Sequence, residues 1–133
     1  MFKSCTISLQ IKRPFAHVYA FLVDPQQLPN WFPIQISDLI RIEEDRWQLL
    51  GPQGRRTLTF TGPNRFGILD FVVEGPDQLK RQFVVRAFPN GEGTEVHYTL
   101  LQLPGLSDER FASEVEWFRS DLSALKSHLE AEA

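Results

Sequence analysis

The sequence predicts an α+β fold: a curved, seven-stranded antiparallel sheet wrapped on a long C-terminal helix, with a cavity between them. Residues from about 36 to 103 form short β-rich runs broken by Gly, Pro and Asn turns. Residues 107–131 carry one apolar stripe at helical spacing. An alternating run at 4–12 and two helix-start signals complete the order strand, two short helices, six strands, long helix.

In SCTISLQIK (4–12), Ile7, Leu9 and Ile11 share one face, the signature of a half-buried strand. Pro14 suits the first turn of a helix, where its missing N–H was an orphan anyway. Phe15, Val18, Phe21 and Leu22 follow at helical spacing. Asp24-Pro25 repeats the start signal, and a second short helix is expected to end near Trp31. Strands are then expected in 36–44, 46–50, 55–61, 66–74, 79–88 and 94–103, joined by turns that include GPQG at 51–54, GPDQ at 75–78 and PNGEG at 89–93. In the last of these, Asn90 and Gly91 are expected to supply positive φ. Pairing 85 with 98 puts Phe83, Val85, Ala87, Val96, Tyr98 and Leu100 on one face, toward the helix. Gln82, Val84, Arg86, Glu95, His97 and Thr99 take the other, wet face. Ser107 can cap the final helix, Asp108 and Glu109 complement its N-terminus, and Phe111, Val115, Phe118, Leu122, Leu125 and Leu129 form its stripe. Its 24 or so residues span ~36 Å, and so long an apolar stripe must be buried, for which the sheet is the only large partner.

Composition narrows the function. A chain of 133 residues suits one domain, 1–133, that needs no covalent staple. The single cysteine, Cys5, rules out an internal disulfide and fits a reducing compartment. The opening residues lack a signal-peptide pattern, and no apolar run approaches a membrane span, so a cytoplasmic location is expected. The formal charge of −3 is spread along the chain, and only Arg55-Arg56 is densely basic, against nucleic-acid binding. His17, His97 and His128 stand at no metal-ligand spacing, so no metal is expected. Neither Gly-rich turn leads from a strand into a helix, so neither is a phosphate loop, and no cofactor is expected.

Asp70 falls in FGILDFVVE, where both alternating sets are largely apolar. A buried, unpaired carboxylate there is expensive. Either it shares the outer face with Arg86 as an ion pair, or it points inward as a polar anchor. Leu69, Phe71 and Val73 make the better inward set, which favours the pair.

Several segments resemble a known family. IKRPFAHVYAFLVDPQQLPNWFP (11–33) is similar to the opening of the START-like, helix-grip (SRPBCC) superfamily. GILD at 67–70, RAFPNGEGTEVHYTL at 86–100, PG at 104–105 and DLSALKSHLE at 121–130 resemble its polyketide cyclase/dehydrase-like bacterial subgroup. Members of that subgroup often carry His after the Asp of the GILD motif, and Phe71 stands at that position here. The resemblance implies a ligand cavity under the helix. Its expected lining is Trp31, Trp47, Phe60, Phe71, Phe83, Tyr98, Phe111, Val115 and Phe118, with Asp70 and Arg86 as polar anchors if they turn inward. Within such a lining the Tyr98 hydroxyl is the natural hydrogen-bonding group. The expected partner is a small apolar or amphipathic molecule, lipid-like, polyketide-like or aromatic. Two other functions are implied: a cyclase/dehydrase-type enzyme steered by Tyr98 and Asp70, and a protein-interaction module like the superfamily's chaperone activators. No two titratable groups stand together in the sequence as acid–base catalysis needs, which favours binding.

Overall fold

The computed structural model describes residues 1–32, 35–52, 54–75 and 80–131. Strand β1 (Ser4–Ile11) is followed by α1 (Phe15–Val23), a single 3-10 turn (Pro25–Gln27) and α2 (Leu28–Trp31). Six strands follow: β2 (Asp38–Arg41), β3 (Arg46–Gly51), β4 (Gly54–Phe60), β5 (Phe71–Glu74), β6 (Lys80–Asn90) and β7 (Gly93–Leu101), and the described chain ends with α3 (Asp108–Ala131). One antiparallel sheet runs in the order β1-β7-β6-β5-β4-β3-β2, so the first strand closes onto the last.

Local chemistry sets most boundaries. Pro14 sits at the N-cap of α1, one position earlier than expected, and its carbonyl accepts from His17 and Val18. Asp24 caps the next turn by accepting from the Gln26 N–H at 3.0 Å. The expected second helix is thus a 3-10 turn running into one α-helical turn. Ser107 Oγ accepts from the Arg110 N–H, and α3 starts where the capping residue places it. In the last hairpin Val85 opposes Tyr98, and Asn90 opposes Gly93. The tip is therefore Gly91-Glu92, with Gly91 at φ 58, while Asn90 is the last residue of β6. The expected inward set is buried throughout, with Phe83, Val85, Ala87, Val96, Tyr98 and Leu100 all at 2% exposure or less.

Two expected strands are shorter than their sequence pattern. β2 stops at Arg41 because the N–H groups of Ile42 and Glu43 both turn onto the Arg46 carbonyl. The strand expected over 66–74 begins only at Phe71. Gly67, at φ 70, brings its backbone so close to β6 that an added Cβ would lie 1.8 Å from the Ala87 oxygen. Asn64 organises the preceding loop, accepting from Phe66 and Ile68 and donating to the carbonyls of Gly62 and Ile68. The tips of the turns expected at 51–54 and 75–78, and Leu79 of the strand expected at 79–88, lie outside the described residues.

The core lies between the concave face of the sheet and α3, whose Val115, Phe118, Leu122, Leu125 and Leu129 are buried as the stripe predicts. Arg13 donates to the Leu129 and Glu130 carbonyls, and Lys126 to that of Gln10, tying the far end of α3 to β1.

Candidate functional site

Strand register aligns the inward side chains in rows, because directly paired residues share a face. One row runs Phe60–Phe71–Phe83 across β4, β5 and β6, and Tyr98 on β7 stands opposite Val85. The Phe71 and Phe83 rings stack with centroids 4.7 Å apart. Phe60 adds to one side of Phe71 at 6.2 Å, and Phe32 and Trp31 contribute from the α2 end at 4.3 and 6.3 Å. Tyr98 meets Phe83 edge-on at 6.3 Å, and Phe118 of α3 reaches both rings, at 5.5 Å from Tyr98 and 6.3 Å from Phe83. Offset and edge-to-face contacts of this kind suit the ring quadrupoles.

Six residues of the expected lining, Trp31, Phe60, Phe71, Phe83, Tyr98 and Phe118, therefore form one aromatic cluster under α3. Val115 is buried beside them and Phe111 packs half-buried on the rim of the same core. Trp47 lies apart from these rings. It stands on the row Arg41–Trp47–Leu58–Val73–Arg81, with the Arg41 guanidinium 5.9 Å over its ring. An open pocket of about 440 Å³ lies beside it, lined by Gln26, Pro29, Ile36, Ser37, Asp38, Leu39 and Trp47. That pocket is walled by α2 and the β2–β3 edge, so Trp47 is the member of the expected lining that borders it.

Few polar groups reach the aromatic cluster. The Tyr98 hydroxyl and the Trp31 Nε1 are buried, with no hydrogen-bond partner among the described residues. Burial pushes the Tyr98 phenol well above its ordinary value; the Arg81 guanidinium pulls the other way and Asp121 adds to the rise. Arg81 itself is lowered, chiefly by its own burial. It forms an ion pair with Glu114 of α3 and lies 4.9 Å over the Phe83 ring. Asp121, one helical turn from Phe118, has its carboxyl raised by partial burial. Among the described residues no group of three His, Cys, Asp or Glu side chains is placed to hold a metal ion, and no helix is long and apolar enough to cross a membrane.

No family model and no curated protein matches the sequence. Solved structures do match it over nearly its whole length. The Aha1 dimer from Colwellia psychrerythraea superposes with a TM-score of 0.73 at 15% identity, covering 97% of each chain. A START superfamily protein from Mycobacterium smegmatis gives 0.70 at 13% identity, over 98% of this chain and 99% of that one. Ara h 8.0201 gives 0.70 at 12% identity, over 97% and 98%. The chain has the START-like, helix-grip fold.

Within the helix-grip frame, sequence reading missed Phe32, Arg81, Glu114 and Asp121. Phe32 directly follows Trp31, and its ring makes a closer approach to Phe71 than any other. Arg81 alternates in phase with Phe83 and Val85, so extending the inward set back by one step would have found it. Glu114 and Asp121 are seven residues apart, on the flank of the α3 stripe, where a polar side chain at this spacing meets the sheet margin.

Asp70 and Arg86 form an ion pair. They lie on the convex side, since Asp70 falls between inward Leu69 and Phe71, and Arg86 opposes His97. Asp70 Oδ1 also accepts the Val85 N–H at 2.9 Å, a place that a strand carbonyl would otherwise take. Arg86 keeps 42% of its side chain exposed, which limits the value of the pair. A double-mutant cycle of Asp70→Asn and Arg86→Gln is expected to give a coupling of ~0.5–1.5 kcal/mol in urea unfolding. Zero coupling would mean that the carboxylate acts on the Val85 amide alone.

Proposed function

We propose that this helix-grip chain binds a small, mostly apolar molecule against the aromatic row under α3, with the Tyr98 hydroxyl as its hydrogen-bond donor. The observation that carries the reading is that hydroxyl, buried among rings and unpartnered. A buried donor left unmade costs ~1–3 kcal/mol. A ligand oxygen reaching it recovers that free energy, and such a site combines an apolar lining with a few polar groups. The pocket beside Trp47 is one cross-strand row from Phe60 and serves in this reading as the mouth. Fold neighbours that include a START superfamily protein support the reading at the level of the fold.

Tyr98 favours binding over proton transfer. Burial holds its phenol protonated far above neutral pH, so it donates a hydrogen bond well and exchanges a proton poorly, since effective acid–base groups titrate near the working pH. Asp70, the other candidate for proton transfer, is engaged with Arg86 and Val85 on the opposite face.

The test is a titration with an environment-sensitive apolar dye, followed by displacement with a fatty-acid-like or polycyclic competitor. Saturable binding near one molecule per chain is expected, with micromolar affinity, or about −8 kcal/mol. Val115→Glu, which puts a carboxylate into the apolar lining, is expected to abolish the signal while circular dichroism shows a folded chain. Non-saturable binding, together with no competitor that raises the melting temperature, would rule out the reading.

A further inference from the structure

The tip of the β6–β7 hairpin carries a reactive dipeptide that the binding function does not use. Asn90 ends β6 and is followed by Gly91, and both are exposed. Gly91 sits at φ 58, with open space around the position a Cβ would take. Its N–H lies beyond the strand ladder, which ends with the Asn90–Gly93 pair, and among the described residues no acceptor takes it. A glycine nitrogen is the least hindered nucleophile that a backbone offers to a neighbouring side chain, and asparagine is one of the thermolabile residue types.

The Asn90 carboxamide is held in place. Its Nδ2 donates to Glu95 Oε2 at 3.0 Å. Glu95 stands opposite Phe88, two steps back from the tip, so this bond draws the carboxamide along the sheet and away from Gly91. Glu95 is itself fixed, with His97 Nε2 3.2 Å from its other oxygen. Its carboxyl is kept below the ordinary value first by the Asn90 bond, then by His97 and Gln10. Electrophile and nucleophile are thus adjacent in the chain, and one hydrogen bond keeps them apart.

We propose that Asn90-Gly91 is a site of spontaneous deamidation, with Glu95 as its brake. In the first step the Gly91 nitrogen attacks Asn90 Cγ. The N–Cγ bond forms, the Cγ–Nδ2 bond breaks, and the Gly91 proton leaves with Nδ2 as ammonia. The product is a five-membered imide. Water, the only co-reactant, then opens the imide: addition at Cγ gives aspartate, and addition at the backbone carbonyl carbon gives isoaspartate. Nothing is oxidised or reduced. Either product replaces the donor to Glu95 with a new negative charge at the hairpin tip, where like charges repel. Isoaspartate also adds one carbon to the backbone at the tip of the hairpin that holds Tyr98.

Peptide mapping by mass spectrometry, after incubation in mildly alkaline buffer, tests it, with circular dichroism confirming that each chain stays folded. The fragment spanning residue 90 is expected to gain about 1 Da, or about 3 Da in water made with heavy oxygen, and to split into aspartate and isoaspartate forms. Asn30 and Asn64, which precede Trp31 and Arg65, are expected to keep their mass over the same period. Glu95→Ala is expected to convert about fivefold faster than the wild type, the rate equivalent of one lost hydrogen bond. Glu95→Gln, which keeps an acceptor oxygen, should fall between the two. An unchanged mass at residue 90 after a free peptide of residues 87–94 has fully converted would overturn the proposal. So would a product that is aspartate alone, since that comes from direct attack of water rather than of Gly91. If neither Glu95 variant converts faster than the wild type, the brake is overturned.

Discussion

Phe71→Ala is expected to destabilise the protein by ~3–5 kcal/mol, the range for removing a large aromatic side chain from a packed core. Phe71 is 1% exposed and touches four other rings, those of Trp31, Phe32, Phe60 and Phe83. It joins the end of α2 to three strands, so the space it leaves cannot be closed by moving one neighbour. Phe60→Ala provides the comparison. That ring is also buried but meets the cluster at a single contact, so its loss should be smaller. Urea unfolding of the three proteins reads the difference as a fall in midpoint at constant slope. A loss below ~1 kcal/mol at Phe71 would show that these rings line an adaptable space rather than hold the sheet to the helix.

Alkaline pH should expose the second large effect. The Tyr98 phenol is raised well above its ordinary value, first by burial. Below about pH 10 it is protonated in both the folded and unfolded chain, and contributes no pH dependence. Above that, the unfolded chain releases the proton while the folded one retains it. Stability is then lost by up to about 1.4 kcal/mol for each pH unit until the folded group also ionises. Tyr98→Phe removes this loss and keeps the ring contacts with Phe83 and Phe118. The two proteins' stability curves should therefore run together at neutral pH, apart from a constant offset, and diverge above about pH 10, with the variant the more stable. Parallel curves up to pH 11.5 or so would mean that the hydroxyl reaches solvent.

These features differ in how far the sequence reveals them. The final hairpin was legible because its alternation is unbroken: placing 85 against 98 fixes every inward residue, and a slip of one would bury Arg86 and His97. The stripe of α3 was legible for the same reason at the helical period. The start of β5 was not. Leu69, Asp70, Phe71 and Val72 alternate in burial as a strand does, but Asp70 answers the Val85 amide with its side chain, and no periodicity reports that exchange. The Arg81–Glu114 pair joins residues 33 positions apart in the chain, and an arginine in a strand reads as solvated until the helix that supplies its partner is in place. Trp47 was grouped with the other aromatics by residue type alone. Its separation from them, and the pocket beside it, depend on where α2 sits over the β2–β3 edge, a long-range packing outcome.

The pairing of β1 with β7 also governs the order of events as the chain is made. Ser4 lies opposite Leu101 and Ile11 opposite Thr94, so β1 finds its hydrogen-bonding neighbour only after some 80 to 100 further residues have been made. Until then one edge of that strand, with the apolar Ile7, Leu9 and Ile11, has no place to dock. α3 comes later still, and its last turns are anchored on Arg13 and the carbonyl of Gln10. The meander from β2 to β6 can form from near neighbours, whereas the concave face and the Tyr98 site on it are completed only by the most distant contacts in the chain. Closing the long β1–β7 loop, with its entropy, is thus expected to be the late step, and the proposed site is completed with it rather than with the meander.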